Sequence, residues 1–340
     1  MSSCSISSTT TTGQGGGGDT PITNIHPDII KSHILNKLDG PTLASTGCAA
    51  AQLFSLCSDD HLWRDICNST WPSTSNPRVS AAISAFPSGH RSFYSDSFPS
   101  LRHHQPKKKS QHPRVSNTSE FISAVDIYYD ENLIYSKVLV TETLSGWFLT
   151  SPFQVELLGL KEIIPTPLKY ETDDGACMAR AEERLRVSWI LIDPINNRAV
   201  NVASLKPVEA RRHWLTEEIQ LRYATVVAPA GEEVVQCGVL VTCGGKEGGE
   251  LHVREVSMQV EDIEGRIMTG MDSLVILNEA MEGHRRKTDS KFEKNNYEMF
   301  LKKRVEIREK KHRRERNLDV VFICTGLSIF FAIWYTFLST

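Results

Sequence analysis

Residues 25–71 read IHPDIIKSHILNKLDGPTLASTGCAAAQLFSLCSDDHLWRDICNSTW, and their punctuation divides them into three short helices. Pro27 suits a first helical position, Asp28 favours the positive end of the helix dipole, and Asp39-Gly40 ends the first helix. Ile30, Ile34 and Leu38 fall on one helical face, joined by Leu35. Pro41 restarts the chain into a second helix with Leu43, Cys48, Leu53 and Leu56, where Ala49, Ala50 and Ala51 permit close approach. Ser58, followed by Asp59 and Asp60, opens a third helix that buries Leu62, Trp63 and Ile66. So many apolar side chains exceed what three short helices can hide, and a unit this small usually needs a partner. The surplus predicts docking.

Read in order, P-x-x-I, I-L, L, L, C, L, L-x-S-D and L-W-R over roughly residues 24–66 resembles an F-box, a helical module in substrate receptors of ubiquitin ligases. His26-Pro27 replaces the usual Leu-Pro opening and Leu53 the common second-helix aromatic; both leave an apolar surface. The resemblance implies that Pro27, Ile29, Ile30, Ile34, Leu35, Leu38 and Leu43 face a Skp-type adaptor, and through it cullin and RING subunits. It assigns Cys48, Leu53, Leu56, Leu62 and Trp63 to packing of the module. Trp71-Pro72 and the run FPSGHRSFYSDSFP at 86–99 are similar to a plant family of F-box proteins with a C-terminal membrane anchor.

Outward from the module, residues 72–100 hold two more helix-length pieces, split at Pro87 and Gly89 and read as its extension. Residues 101–118 read as a linker whose His103, His104 and His112 lack Cys or acidic partners at ligand spacing, so no metal is expected. The Ser/Thr/Gly-rich residues 1–23 bury too little apolar surface to offset ordering, and are expected to be disordered.

From 119 to 283 the chain alternates apolar strands with turn chemistry, including Asp173-Asp174-Gly175, Asp193-Pro194, Pro229-Ala230-Gly231 and Gly244 to Gly249. This predicts an antiparallel β-sandwich-like domain with one helix, Met271 to His284. SWILIDP, EIQLRYATVV and GGELHVREVSMQV are similar to plant phloem lectins, which supports the sandwich and says nothing of sugar. Trp147, Trp189 and Trp214 could build a ligand surface, but tryptophans at such strand positions are mostly core, and core is the reading taken. GGKEGGE lacks the Ser/Thr and helix of a phosphate loop, and no nucleophile elbow, zinc pair or dinucleotide fingerprint is present. Glu182, Glu183 and Arg184 read as a solvated edge; no cofactor is implied.

The net charge of −3 conceals a basic block: residues 284–316 carry 14 Lys/Arg against 6 Asp/Glu, a net of +8. Tyr297, Leu301 and Val305 make only a thin apolar stripe there, so residues 284–319 read as a solvated, basic helical stalk, with attraction of its basic face to anionic headgroups as the functional addition. Val320 to Leu338 is 19 residues without a charge, reaching about 28 Å against a hydrocarbon core of about 30 Å. Trp334 and Tyr335 suit an interface. Nine Lys/Arg between Lys302 and Arg316 place this flank, and the body with it, in the cytosol by the positive-inside rule. With Ser339 and Thr340 beyond the span, the helix reads as a tail anchor, and the lack of basic residues after it favours the endoplasmic reticulum. The eight cysteines are scattered without a C-x-x-C and read as reduced thiols. A nucleic-acid partner is disfavoured because the basic block abuts the membrane segment and is poor in aromatics.

The expected whole is a multidomain α + β protein: F-box at 24–71, extension, β-rich substrate domain, stalk, and anchor at 320–338. The expected function is that of a non-catalytic substrate receptor of a cullin-based ubiquitin ligase, tethered to a membrane and recruiting an unknown protein target. The alternative is a membrane-tethered lectin-like or protein-binding module working outside the cullin complex. Asn68-Ser69-Thr70 and Asn117-Thr118-Ser119 are expected to stay unglycosylated under this topology.

Overall fold

α1 (Pro27–Ile29) starts at the expected proline, with the His26 ring accepting from the Asp28 amide at 3.3 Å. In this computed structural model it runs on through a π-helical stretch, Ile30–Ile34, and a 3₁₀ turn, Leu35–Lys37. The structure describes residues 26–98, 118–170, 175–228, 234–283, 285 and 290–339. The tail at 1–23, nearly all of the linker, Asp173-Asp174 and Pro229-Ala230-Gly231 lie outside the described residues.

The π turn changes which face is buried. A wider i→i+5 turn sets Ile30 and Leu35 inward, both buried, and their neighbours Ile29 and Ile34 outward. The single face expected from α-helical spacing is therefore split. α2 (Gly40–Ala49) is capped by Asp39, which accepts from the Thr42 amide at 3.0 Å. The expected second helix breaks at Ala50, whose φ −154°, ψ 148° is extended, and resumes as α3 (Ala51–Cys57). α4 (Asp60–Thr70) follows. The chain divides into two compact units at Leu62/Trp63.

The second unit holds α5 (Pro77–Ser84), α6 (Gly89–Ser97) and two antiparallel sheets. One sheet has the order β2-β1-β5-β6, with β1 Glu120–Tyr129, β2 Asn132–Glu142, β5 Leu185–Asp193 and β6 Arg198–Asn201. The other has β3 (Gln154–Glu156), β10 (Glu250–Glu261), β9 (Val235–Gly244), β8 (Ile219–Val227) and β7 (Glu209–Arg212) in that order, with β4 (Ile164–Lys169) also on β10. Side chains alternate across a strand, and β1 and β5 use both faces. Val125, Ile127, Trp189 and Leu191 join Leu221, Val239 and Val256 of the second sheet in one core. Ile122, Ala124, Ile190 and Ile192 face the other way, against Trp71, Val79, Ile83 and Phe93. The helices expected to extend the N-terminal module thus share a core with the first sheet.

Asp126 stands on this second face, fully buried. Its carboxylate accepts from the Ser73 amide (2.9 Å), the Ser73 hydroxyl (2.6 Å) and the Ser136 hydroxyl (2.7 Å). Asp126→Ala leaves these buried donors unsatisfied and should destabilise the detergent-solubilised protein by about 1–3 kcal/mol in a denaturant melt. Asp126→Asn can still accept from the amide and donate to the Ser73 oxygen, so it should melt much closer to the parent. Burial raises the Asp126 carboxyl above its ordinary value, partly offset by the Ser73 and Ser136 bonds. The folded state then binds this proton more tightly than the unfolded chain, so its contribution is largest at low pH and is lost as pH rises through the folded value. The Asn variant should lack that descent; identical pH profiles for parent and variant would contradict the assignment.

Two helices in the β-rich region were not expected. α7 (Gly146–Thr150) forms because Ser145 accepts from the Phe148 amide at 3.2 Å and caps it. α8 (Gly175–Arg184) takes up the residues read as a turn and solvated edge. Its Ala, Met, Arg and Glu content favours helix, and Cys177 and Ala181 bury one face. α9 (Gly270–Glu282) matches the expected helix.

α10 (Ser290–Ser339) is a single helix of 50 residues. Its apolar end is long and apolar enough to cross a membrane and is exposed throughout. Its first turns are not a solvated stalk. Tyr297 is buried with Val208 and Ala224, Leu301 packs on them, and only Val305 of the expected stripe stays exposed. Cys48, Cys57, Cys67, Cys177, Cys237, Cys243 and Cys324 are all free, and burial pushes Cys237 and Cys243 up to about 12.

Candidate functional site

Two surfaces stand out, one in each unit. In the first unit, Ile29 is 50% exposed and Ile34 47%, with Pro27 exposed and Leu38 half-buried beside them in sequence. These four side chains can meet a partner without rearrangement. Ile30, Leu35 and Leu43, expected on the same surface, are buried and hold the unit together. Of the residues expected to pack, Leu62 and Trp63 are buried, Leu53 and Leu56 half-buried, and Cys48 exposed. Phe54, beside the Leu53 expected in place of an aromatic, is 50% exposed and was not singled out by sequence.

Two contacts fix this unit. Gly47 lies so close to α3 that a Cβ there would sit 3.3 Å from the Cys57 Cβ. Lys31 Nζ is 2.9 Å from Asp59 Oδ2, and that hydrogen bond holds the Asp59 carboxyl below its ordinary value.

The second unit contains a cavity of about 550 Å³ between the helices after Leu62 and the first sheet. Trp71, Tyr94, Phe98 and Tyr128 give it aromatic walls. The wall is built as a ring cluster: Trp71 meets Phe93 edge-on at 6.0 Å and Tyr94 at 5.3 Å, and Tyr94 meets Phe98 at 5.9 Å. Tyr128 is oriented by donating to the Thr70 carbonyl at 2.7 Å. Burial, and then the Asp126 charge, push its hydroxyl above the ordinary tyrosine range.

The polar lining separates into two kinds. Asn201 accepts from the Trp189 and Ala203 amides and donates to Ser188, while Ser204 donates to the Lys206 carbonyl and accepts from the Ala224 amide. These groups are committed to the fold. Asp130, Glu131, Arg186 and Lys206 add charges of both signs. The volume suits a small molecule or a short peptide segment. Among the described residues that line it, none is a histidine. Among the described residues no cluster of His, Cys, Asp and Glu has the grouping of a metal site. Gly244 to Glu250 forms the expected turn between antiparallel β9 and β10.

The three tryptophans of the β-rich region diverge. Trp189 is 0% exposed, as expected, but Trp147 is 80% and Trp214 82% exposed, against expectation. The sequence offered no signal for this, because α7 and the turn after β7 were not anticipated.

Comparison with known proteins gives a consistent result. The chain is 44% identical over 328 residues to an F-box protein of Arabidopsis thaliana, covering 92% of this chain and 95% of the relative. A second Arabidopsis F-box protein is 43% identical over 292 residues, covering 83% and 80%. A probable F-box protein of the same plant is 40% identical over 326 residues, covering 93% and 94%. No family model and no solved structure matches the chain.

Proposed function

Because the chain belongs to the plant F-box protein family, we propose that it is the substrate-recognition subunit of an SCF-type ubiquitin ligase, held at the cytosolic face of a membrane by α10. The observation that carries this is the exposed apolar set Pro27, Ile29, Ile34 and Leu38 on a small helical unit of an F-box family member. An adaptor covers that set and brings cullin and RING subunits with it. The second unit, read as a β-sandwich carrying the aromatic cavity, binds the target. The basic flank of α10 keeps the body on the cytosolic side. No residue of this chain makes or breaks a covalent bond; it raises the effective concentration of the target near a conjugating enzyme.

The test is immunoprecipitation of the detergent-solubilised full chain and of a chain deleted from Val320 to Thr340, with parallel membrane fractionation. Adaptor and cullin should accompany both chains, and membrane recovery should require the helix. Recovery without cullin would favour a tethered binding module instead. Loss of the helix without loss of membrane recovery would reject the tether alone.

A further inference from the structure

Because α10 is one unbroken helix, its contacts with the second unit fix where the β-rich domain stands relative to the apolar segment. Tyr297 donates to Glu209 (2.6 Å), Arg304 lies 3.8 Å from Glu261, and Lys311 3.2 Å from Glu264. Gly265, at φ +86°, lies against the Arg304 guanidinium that reaches from α10, so that a Cβ there would fall 1.6 Å from Nη2. Nine residues separate Lys311 from Val320, about 14 Å along the axis. Headgroups occupy roughly 5–8 Å on each side of the hydrocarbon core, so little clearance remains beneath the loop at 262–267.

Strand pairing shows what else lies at that end. Glu261 pairs with Gln236 and Ile267, and Val227 with Val235, at one end of the second sheet. Gln154 pairs with Gln259 and Pro152 with Thr269, which brings α7 and the start of α9 to the same end. There Trp147, Ile267 and Met271 are exposed. Trp214, in the turn before Ile219, lies at the opposite end, some eight strand steps or roughly 27 Å away. The acidic Glu264 and Asp262 at the near end are matched by Lys311 and Arg266. Between Arg308 and Arg316 the helix carries six Lys/Arg against two Glu.

We infer that the Trp147, Ile267 and Met271 end of the domain rests in the lipid headgroup layer beside α10, so that the domain stands on an anionic membrane surface in one fixed pose. An exposed indole and two apolar side chains, next to a basic helix entering the bilayer, match the chemistry of that layer. The inference rests on the membrane reading of α10, and its test separates the two.

The full chain and its Trp147→Phe and Trp214→Phe variants are reconstituted into phosphatidylcholine–phosphatidylserine vesicles carrying a headgroup-level nitroxide lipid, then floated. Subtracting each variant's emission from the parent's isolates one indole. The Trp147 difference spectrum should be quenched by the nitroxide lipid and the Trp214 difference spectrum should not. Flotation of the parent with an unquenched Trp147 overturns the pose while sparing the tether. Equal quenching of both indoles also overturns it. Failure of the parent to float rejects the tether and the pose together.

Discussion

Replacing both Ile29 and Ile34 with aspartate is expected to abolish recovery of the Skp-type adaptor while the chain stays folded. Each side chain is half exposed in the free protein, so its remaining apolar surface is available to a partner. Fully burying an isoleucine contributes about 1.5–3 kcal/mol, and roughly half of that is still to be gained at each position. Aspartate removes this gain and adds a charge that the interface must desolvate without a partner. Together the two changes should weaken binding by at least about a hundredfold, given 1.4 kcal/mol per decade. Stability should fall far less than for a fully buried position, because about half of each side chain is already in water. Leu35→Asp is a poor test of the same idea, since Leu35 is buried and its loss would unfold the module. The measurement is a pull-down with purified adaptor beside a thermal melt. Undiminished adaptor recovery from a folded double variant would sink the assignment of this surface.

The choice of Ile29 and Ile34 over Leu35 shows where sequence reading stopped. Helix punctuation at Pro27, Asp39-Gly40 and Asp59-Asp60 was legible because caps and breakers act locally. The π turn at Ile30–Ile34 was not, because it changes the periodicity that assigns faces. The strands were legible from alternation and apolar runs, and β1 and β5 look continuous in sequence because each face serves a different core. Nothing local in FYSDSFP tells that its Phe93 packs over Ile122 and Ile190, so the first sheet's second core was missed. The cavity inherits that gap: Trp71, Tyr94 and Tyr128 are far apart in sequence and meet only through this packing. Similarly, the charged text of α10 conceals Tyr297 and Phe300, both buried. A charge run reads as solvated until its counterions are known, and here they come from α8, β10 and the loop after it.

Glu261 is the residue on which that docking depends, and Glu261→Ala should release the first half of α10 from the domain. Arg222 Nη1 lies 2.6 Å from Glu261 Oε1, with side chains only 14% and 6% exposed, and Glu209 stands farther off at 3.7 Å. Burial alone would lower the Arg222 guanidinium; the Glu261 carboxylate outweighs it and holds the group above its ordinary value. Removing Glu261 leaves the buried Arg222 with only the more distant Glu209, at a cost approaching the about 3–5 kcal/mol of a broken buried pair. The cheapest relief is to let water in by lifting the helix, because Tyr297 and Arg304 cover the same pair. Trypsin should then cut at Lys302, Lys303 and Arg304 in the variant and spare those bonds in the parent. Glu264→Ala is the control: its ion pair with Lys311 is far more exposed than the Arg222–Glu261 pair, at 29% and 56%, and surface pairs contribute about 0–1 kcal/mol. Equal protection of all three chains would show that apolar packing of Tyr297 and Phe300 suffices to hold the helix. Selective cleavage of the Glu261 variant would show that the buried ion pair locks the domain to the helix that carries it into the membrane.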